Sequence, residues 1–121
     1  MQDFRNLKVW EKSHQLVLDI YRFTKQYPKE ELYGLISQIR RAAASIPTNL
    51  AEGCGRGSDA DFSRFVQIAL GSASEVEYHA ILSRDLGYID DTTYIQINAK
   101  VNEIKKMLIA LIKRLRPNHK T

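Results

Sequence analysis

The sequence predicts an all-α protein folded as an antiparallel, up-down-up-down four-helix bundle. Three observations carry that prediction. Glycines at Gly53, Gly55, Gly57 and Gly87, with prolines at Pro28, Pro47 and Pro117, punctuate the chain into four segments of similar length. Each segment repeats its apolar residues at spacings of three and four, the helical period, and none alternates as a strand would. The connections are short, and four amphipathic helices joined by short connections bury their stripes by packing antiparallel around one core. At 121 residues, with no internal repeat, the whole chain reads as a single domain.

The first helix is expected from about Lys8 to Tyr27. Val9, Trp10, Ser13, Leu16, Val17, Ile20, Tyr21, Phe23 and Thr24 share an arc roughly 160° wide at 100° per residue, opposite Lys12, Gln15, Asp19 and Arg22. Pro28 suits a first helical turn, and Glu30 and Glu31 follow where a positive helix end favours acids, so the second helix is expected to open there. Its apolar side carries Leu35, Ile39, Ala42, Ala43, Ile46 and Leu50. Pro47 lies inside it, removing a donor and crowding the carbonyl four residues earlier at a cost of roughly 3 kcal/mol. Gly53, Gly55 and Gly57 are expected to end it through the left-handed conformation that glycine adopts readily.

Ser58 and Asp61 have the spacing of a capping box at the start of the third helix. Its stripe is Phe62, Phe65, Val66, Ala69, Ala73, Val76 and Ala80, with Gly71, Ser72 and Ser74 expected to leave it slim enough for close helix approach, and Gly87 stops it. Asp90 or Asp91 caps the fourth helix, where Tyr94, Ile97, Val101, Ile104, Leu108, Leu111 and Leu115 make a heptad seam. Ile95 and Ile109 fall outside that seam, and the arc of helix one is wider than two bundle neighbours need. Such spare apolar surface predicts self-association.

The composition is that of an ordinary soluble globular protein, 44% hydrophobic and 26% charged. Neither a signal peptide nor an apolar run of membrane-spanning length is present, and a lone cysteine, Cys54, forms no intrachain disulfide, so a reducing cytoplasm is the expected setting. The run Gly53-Cys54-Gly55-Arg56-Gly57 resembles a phosphate loop only in its glycines. A helix rather than a strand precedes it and no Gly-Lys-Ser/Thr follows, so it reads as a turn. His14, His79 and His119 are scattered, with no pair at the i, i+4 spacing of a metal site and no Glu-x-x-His motif expected to make a carboxylate-bridged one, and Cys54 has no activating histidine nearby in sequence. No cofactor, metal or small-molecule substrate is implied.

Two groups of residues remain as candidates. The first is a polar margin on helix two, where Gln38, Arg41, Ser45, Asn49 and Glu52 lie within about 80° of one another beside the apolar arc. In a bundle this margin is expected to be partly buried, paired with Glu75 and Glu77 of helix three, and to cover the backbone freed by Pro47. It reads as a structural network of Gln38, Arg41, Asn49, Glu52 and Glu75; the rival reading is a pocket in which Arg41, Glu52 and Glu75 do acid–base chemistry.

The second group is basic. The formal charge is +4 and the isoelectric point near 9.3. Residues 58–87 hold five acids against two bases, whereas residues 88–121 hold seven bases against three acids. Lys105, Lys106, Lys113, Arg114, Arg116 and Lys120 stand late in the chain, either as a solvated face or as a phosphate-contacting surface.

The residues also carry a family resemblance. Phe4-Arg5-Asn6-Leu7-Lys8-Val9-Trp10, Tyr27-Pro28-Lys29-Glu30-Glu31, Gln38-Ile39-Arg40-Arg41-Ala42, Ser45-Ile46-Pro47-Thr48-Asn49-Leu50-Ala51-Glu52-Gly53 and Gly71-Ser72-Ala73-Ser74-Glu75-Val76-Glu77 run on to Leu86-Gly87-Tyr88. Together they resemble the bacterial proteins encoded within intervening sequences of 23S ribosomal RNA genes. The resemblance spans nearly the whole chain and implies an all-helical protomer assembling into a cyclic homopentamer, with no catalytic residues to carry over. It is similar to the accessory proteins of diversity-generating retroelements, which partner a reverse transcriptase and bind nucleic acid through a basic surface. Carried onto this chain, the resemblance assigns Arg41, Asn49, Glu52 and Glu75 an architectural role. The implied function is a non-enzymatic oligomeric scaffold binding RNA or an RNA-handling protein; the alternative is a protein–protein adaptor with no nucleic-acid role. The mild overall charge and the acidic third helix are departures from a strongly basic binder.

Overall fold

In a computed structural model, which describes residues 3–116, four helices follow one another: α1 (Lys8–Thr24), α2 (Leu35–Cys54), α3 (Asp59–Asp85) and α4 (Asp91–Leu115). No strand occurs among the described residues. Each helix packs against its neighbours in sequence, α1 and α4 close the square, and the diagonal pairs make no close backbone approach. The α2/α3 seam is the most intimate and the α1/α4 seam the loosest. Pro117, His119 and Lys120 lie outside the described residues.

One core runs the length of the bundle. Leu16, Ile20, Ile39, Ile46, Leu50, Val66, Val76, Val101, Ile104 and Leu108 are almost wholly removed from solvent. The heptad seam of α4 is buried at Ile97, Val101, Ile104, Leu108 and Leu111 and half-buried at Tyr94 and Leu115. At one end, Tyr27, Leu35 and Ile36 form a second apolar cluster beneath the two connections. There Tyr88 donates to Glu31 at 2.8 Å and its ring packs on Tyr27, tying the α1–α2 connection to the α3–α4 turn.

Several local expectations change. The first helix ends at Thr24, its remaining residues to Tyr27 forming hydrogen-bonded turns. The second does not open at Pro28: Lys29–Glu31 make a separate 3-10 turn, and α2 begins at Leu35. The reason is that Glu31 caps from a distance, its carboxylate accepting the Leu35 N–H at 3.1 Å. That bond, with the one from Tyr88, holds the Glu31 carboxyl below its ordinary pKa.

The glycines also act otherwise than expected. Neither Gly53 nor Gly55 ends α2 in a left-handed conformation; among the described residues only Gly87 has positive φ, at 80°. Gly53 is buried inside the helix, where an added Cβ would meet Phe62 Cδ1 at 2.8 Å and Phe65 Cβ at 3.0 Å. Its small size lets α2 and α3 converge next to their turn. Gly71 faces open space instead, and the close approach in mid-helix comes from Ala69 and Ala73, both fully buried. Gly87 closes α3 with Tyr88 N–H bonded to Ser83 O and Gly87 N–H to Arg84 O, the paired bonds of a Schellman motif. Ser58 and Asp90 cap α3 and α4 through bonds from Asp61 N–H and Thr93 N–H.

Candidate nucleic-acid interface

The basic residues of α4 separate into two kinds. Lys105 is half-buried and donates to Glu77 of α3 at 2.8 Å, with both side chains about three-quarters covered. It therefore belongs to the α3/α4 seam, where the acid offsets its charge. Lys106, Lys113, Arg114 and Arg116 are exposed, and none forms an ion pair among the described residues. The cause is positional. The α4 seam turns Lys106 and Lys113 away from the bundle, while Arg114 and Arg116 close the final turn, where cations favour the negative helix end.

The polar margin of α2 does not assemble as expected. Gln38, Arg41 and Glu52 are exposed, and only Ser45 and Asn49 are partly buried. Asn49 Nδ2 donates to Ser45 O at 2.8 Å and to Ser45 Oγ at 2.9 Å, and Ser72 Oγ of α3 donates to Ser45 Oγ at 2.8 Å. This hydroxyl–amide cluster is the part of the predicted network present within one chain. The side-chain bond reaches Ser45 O rather than the Ala43 carbonyl that Pro47 leaves without its usual donor. Glu52 pairs with Arg56 one turn on, at 2.9 Å, and Arg41 forms no ion pair among the described residues. Glu75 is exposed, its nearest cationic candidate being His79 Nε2 at 4.0 Å, and Glu77 turns to Lys105 rather than to α2.

Arg41, Glu52 and Glu75 thus do not converge, and none of them lines the cavities at the α1/α4 seam, the α1/α2 groove, the α3/α4 groove or the α2–α3 turn. The largest of these, about 400 Å³ in the loose α1/α4 seam, is charged: Lys8, Glu11, Lys12, Lys100 and Glu103 surround it, with Lys12 and Glu103 paired at 3.3 Å. A second, of about 350 Å³, is an apolar groove between α1 and α2 that includes Trp10, Val17, Ala44 and Pro47. A third, of about 290 Å³, lies between the outward faces of α3 and α4 beside Lys113 and Arg116.

The remaining reactive groups are quiet. Cys54 is buried at the turn, and burial, then the nearby Asp3 charge, push its thiol pKa up, away from a nucleophilic thiolate. Glu11 and His14 have the Glu-x-x-His spacing of bundle metal sites, but His14 is exposed and stacks on Trp10, and no three candidate metal ligands converge among the described residues. His79 was not legible as special from sequence. Its side chain is 7% exposed, Nδ1 is buried without a hydrogen-bond partner, and burial lowers its pKa despite the opposing pull of Glu75. Among the described residues no helix is long and apolar enough to cross a membrane.

Residues 5–110 match the family described as 23S rRNA-intervening sequence protein. The chain belongs to that family. The match covers all four helices except the last turn of α4, so the family assignment and the bundle coincide. The bundle is also similar to a crystal structure from the S23 ribosomal protein family of Bacteroides thetaiotaomicron, a protein of unknown function. That similarity has a TM-score of 0.80 at 33% identity, over 87% of this chain and 95% of the other. No curated protein matches the sequence. Lys113, Arg114 and Arg116 lie beyond the family match, and Lys105 and Lys106 within it.

Proposed function

We propose that this member of the intervening-sequence family is a non-enzymatic, self-associating scaffold that binds RNA through the outward cations of its last helix. The observation carrying this reading is the division within α4. Lys105 is neutralised by Glu77, whereas Lys106, Lys113, Arg114 and Arg116 stand exposed and without ion pairs among the described residues along the C-terminal half of α4. Cations that stand in water outside ion pairs keep a field available to phosphate. Self-association, as five copies by the family resemblance, would repeat that cluster around an axis and multiply the field. Buried Cys54 and the scattered Arg41, Glu52 and Glu75 offer no reaction, which supports a binding role.

Titration of labelled structured RNA at several salt concentrations tests the proposal. Four phosphate contacts per protomer give a log–log salt slope of about −3. Replacing Lys113 and Arg114 with glutamine is expected to make the slope shallower by between one and two units. Absence of binding at low salt, where phosphate contacts are strongest, would remove the RNA role. The adaptor reading is favoured by a different observation, the exposure of Leu32, Tyr33 and Leu86 on the two connections at the opposite end. Recovery of one protein partner after nuclease treatment, with no RNA affinity, would decide for it.

A further inference from the structure

The groove between the outward faces of α3 and α4 combines features that the other cavities lack. Its volume is about 290 Å³, close to the ~300 Å³ lower bound of small-ligand pockets. Its floor is Leu70, Ile109 and Ile112, its rim Gln67, Lys113 and Arg116, and no carboxylate lines it. By contrast, Glu11 and Glu103 offset the lysines of the larger α1/α4 cavity. Leu70 and Ile112 rest half-buried on the core, so the floor is supported from beneath, while Ile109 stays 41% exposed.

Each rim group is free to act on a ligand. Lys113 and Arg116 are exposed and without ion pairs among the described residues. Gln67 uses one N–H on Ser63 Oγ at 3.2 Å, leaving its amide oxygen and a second N–H. An apolar floor, an amide donor and acceptor at the edge, and two cations at the mouth match the parts of one nucleotide. They correspond to a flat base with polar edges joined to a phosphate, and the Arg116 guanidinium offers a plane for stacking.

We propose that this groove receives a single unpaired nucleotide of the bound RNA, its base against Leu70, Ile109 and Ile112 and its phosphate between Lys113 and Arg116. The inference rests on the RNA-binding reading above and adds the substrate class: looped or single-stranded RNA rather than continuous duplex. A paired base is stacked on both sides and cannot enter a recess, whereas an unstacked one can. Lys113 thus serves any RNA by its charge, and Ile109 serves only strands with a base to insert.

Anisotropy titrations with the full chain, comparing a short single-stranded RNA with a blunt duplex of equal phosphate count, test this. The single strand is expected to bind about tenfold tighter at the same salt, the worth of removing roughly 50 Å² of apolar surface from water. Ile109→Ser, at an exposed position, is expected to abolish that preference and leave duplex affinity unchanged; Lys113→Gln is expected to weaken both ligands alike. Equal binding of the two RNAs, or a preference that survives Ile109→Ser, overturns the groove assignment while RNA binding stands. Failure of both RNAs to bind overturns the RNA role and the groove together.

Discussion

Gly53 makes a case in which one missing atom sets the distance between two helices. A methyl there would lie 2.8 Å from one ring carbon of Phe62 and 3.0 Å from Phe65 Cβ, both anchored on α3. Helix propensity alone favours alanine by about 1 kcal/mol, but overpacking costs about 1–3 kcal/mol. Gly53→Ala is therefore expected to lower stability by about 1 kcal/mol, read as a fall in the denaturant midpoint; a rise would show that Phe62 moves aside freely. His79 gives a residue-scale prediction with a sign. Burial depresses its folded pKa below the ordinary value of 6.5, so the unfolded chain binds the proton more readily. Stability is then complete above about pH 6.5 and falls as pH drops below it, until the folded state also takes the proton. Melting curves through that interval are expected to decline in the wild type and to flatten in His79→Gln. Neither feature was legible in the sequence. A helical period places His79 near the core edge but does not say whether its nitrogens find partners, and a glycine triplet looks like a stop whatever Gly53 touches.

At the scale of elements, periodicity identified all four helices because each presents a continuous stripe to one core, and the stripe of α4 is buried almost as its spacing predicts. The boundaries were less legible wherever the capping group is remote in sequence. Glu31 starts α2 from the preceding 3-10 turn, and Leu35 begins the helix proper four residues later. The polar margin failed for a related reason. Spacing showed that Gln38, Arg41, Asn49 and Glu52 share a side of α2, but α3 presents Ser72 there and sends Glu77 to Lys105. Pro47 tests how α2 tolerates its interruption. Replacing it by alanine restores a donor to the Ala43 carbonyl, a gain of roughly 3 kcal/mol in helix terms. Against that stand a smaller buried side chain and a looser unfolded chain, together about 2 kcal/mol. Pro47→Ala is expected to raise the melting temperature by a few degrees. A loss would mean that α2 has already adapted its geometry to the ring.

For the whole molecule, the question is what the spare apolar surface is for. Leu18 and Tyr21 on α1, Ile68 and Tyr78 on α3, and Ile95 on α4 all remain more than two-fifths exposed, so no single helix accounts for the excess. A bundle of this size hides its stripes at the four seams, and α3, which contributes to two of the tightest, still leaves Tyr78 58% exposed. Apolar residues at several corners suit a contact in which different faces of successive copies meet. Heterologous contacts whose rotation closes make rings, whereas a single self-complementary face stops at two. The proposed assembly of five 13.9 kDa chains would sediment at about 70 kDa, against about 28 kDa for a two-fold pair. Because heterologous contacts use two different patches, Tyr78→Asp and Ile95→Asp are each expected to yield smaller species with unchanged helicity. Mixing the two variants should restore one contact per pair, since each retains the patch the other has lost. A wild-type chain that stays at 13.9 kDa across micromolar concentrations would leave these residues to another partner. Variants that dissociate alone and gain nothing on mixing would place both residues on one patch and overturn the two-patch assignment.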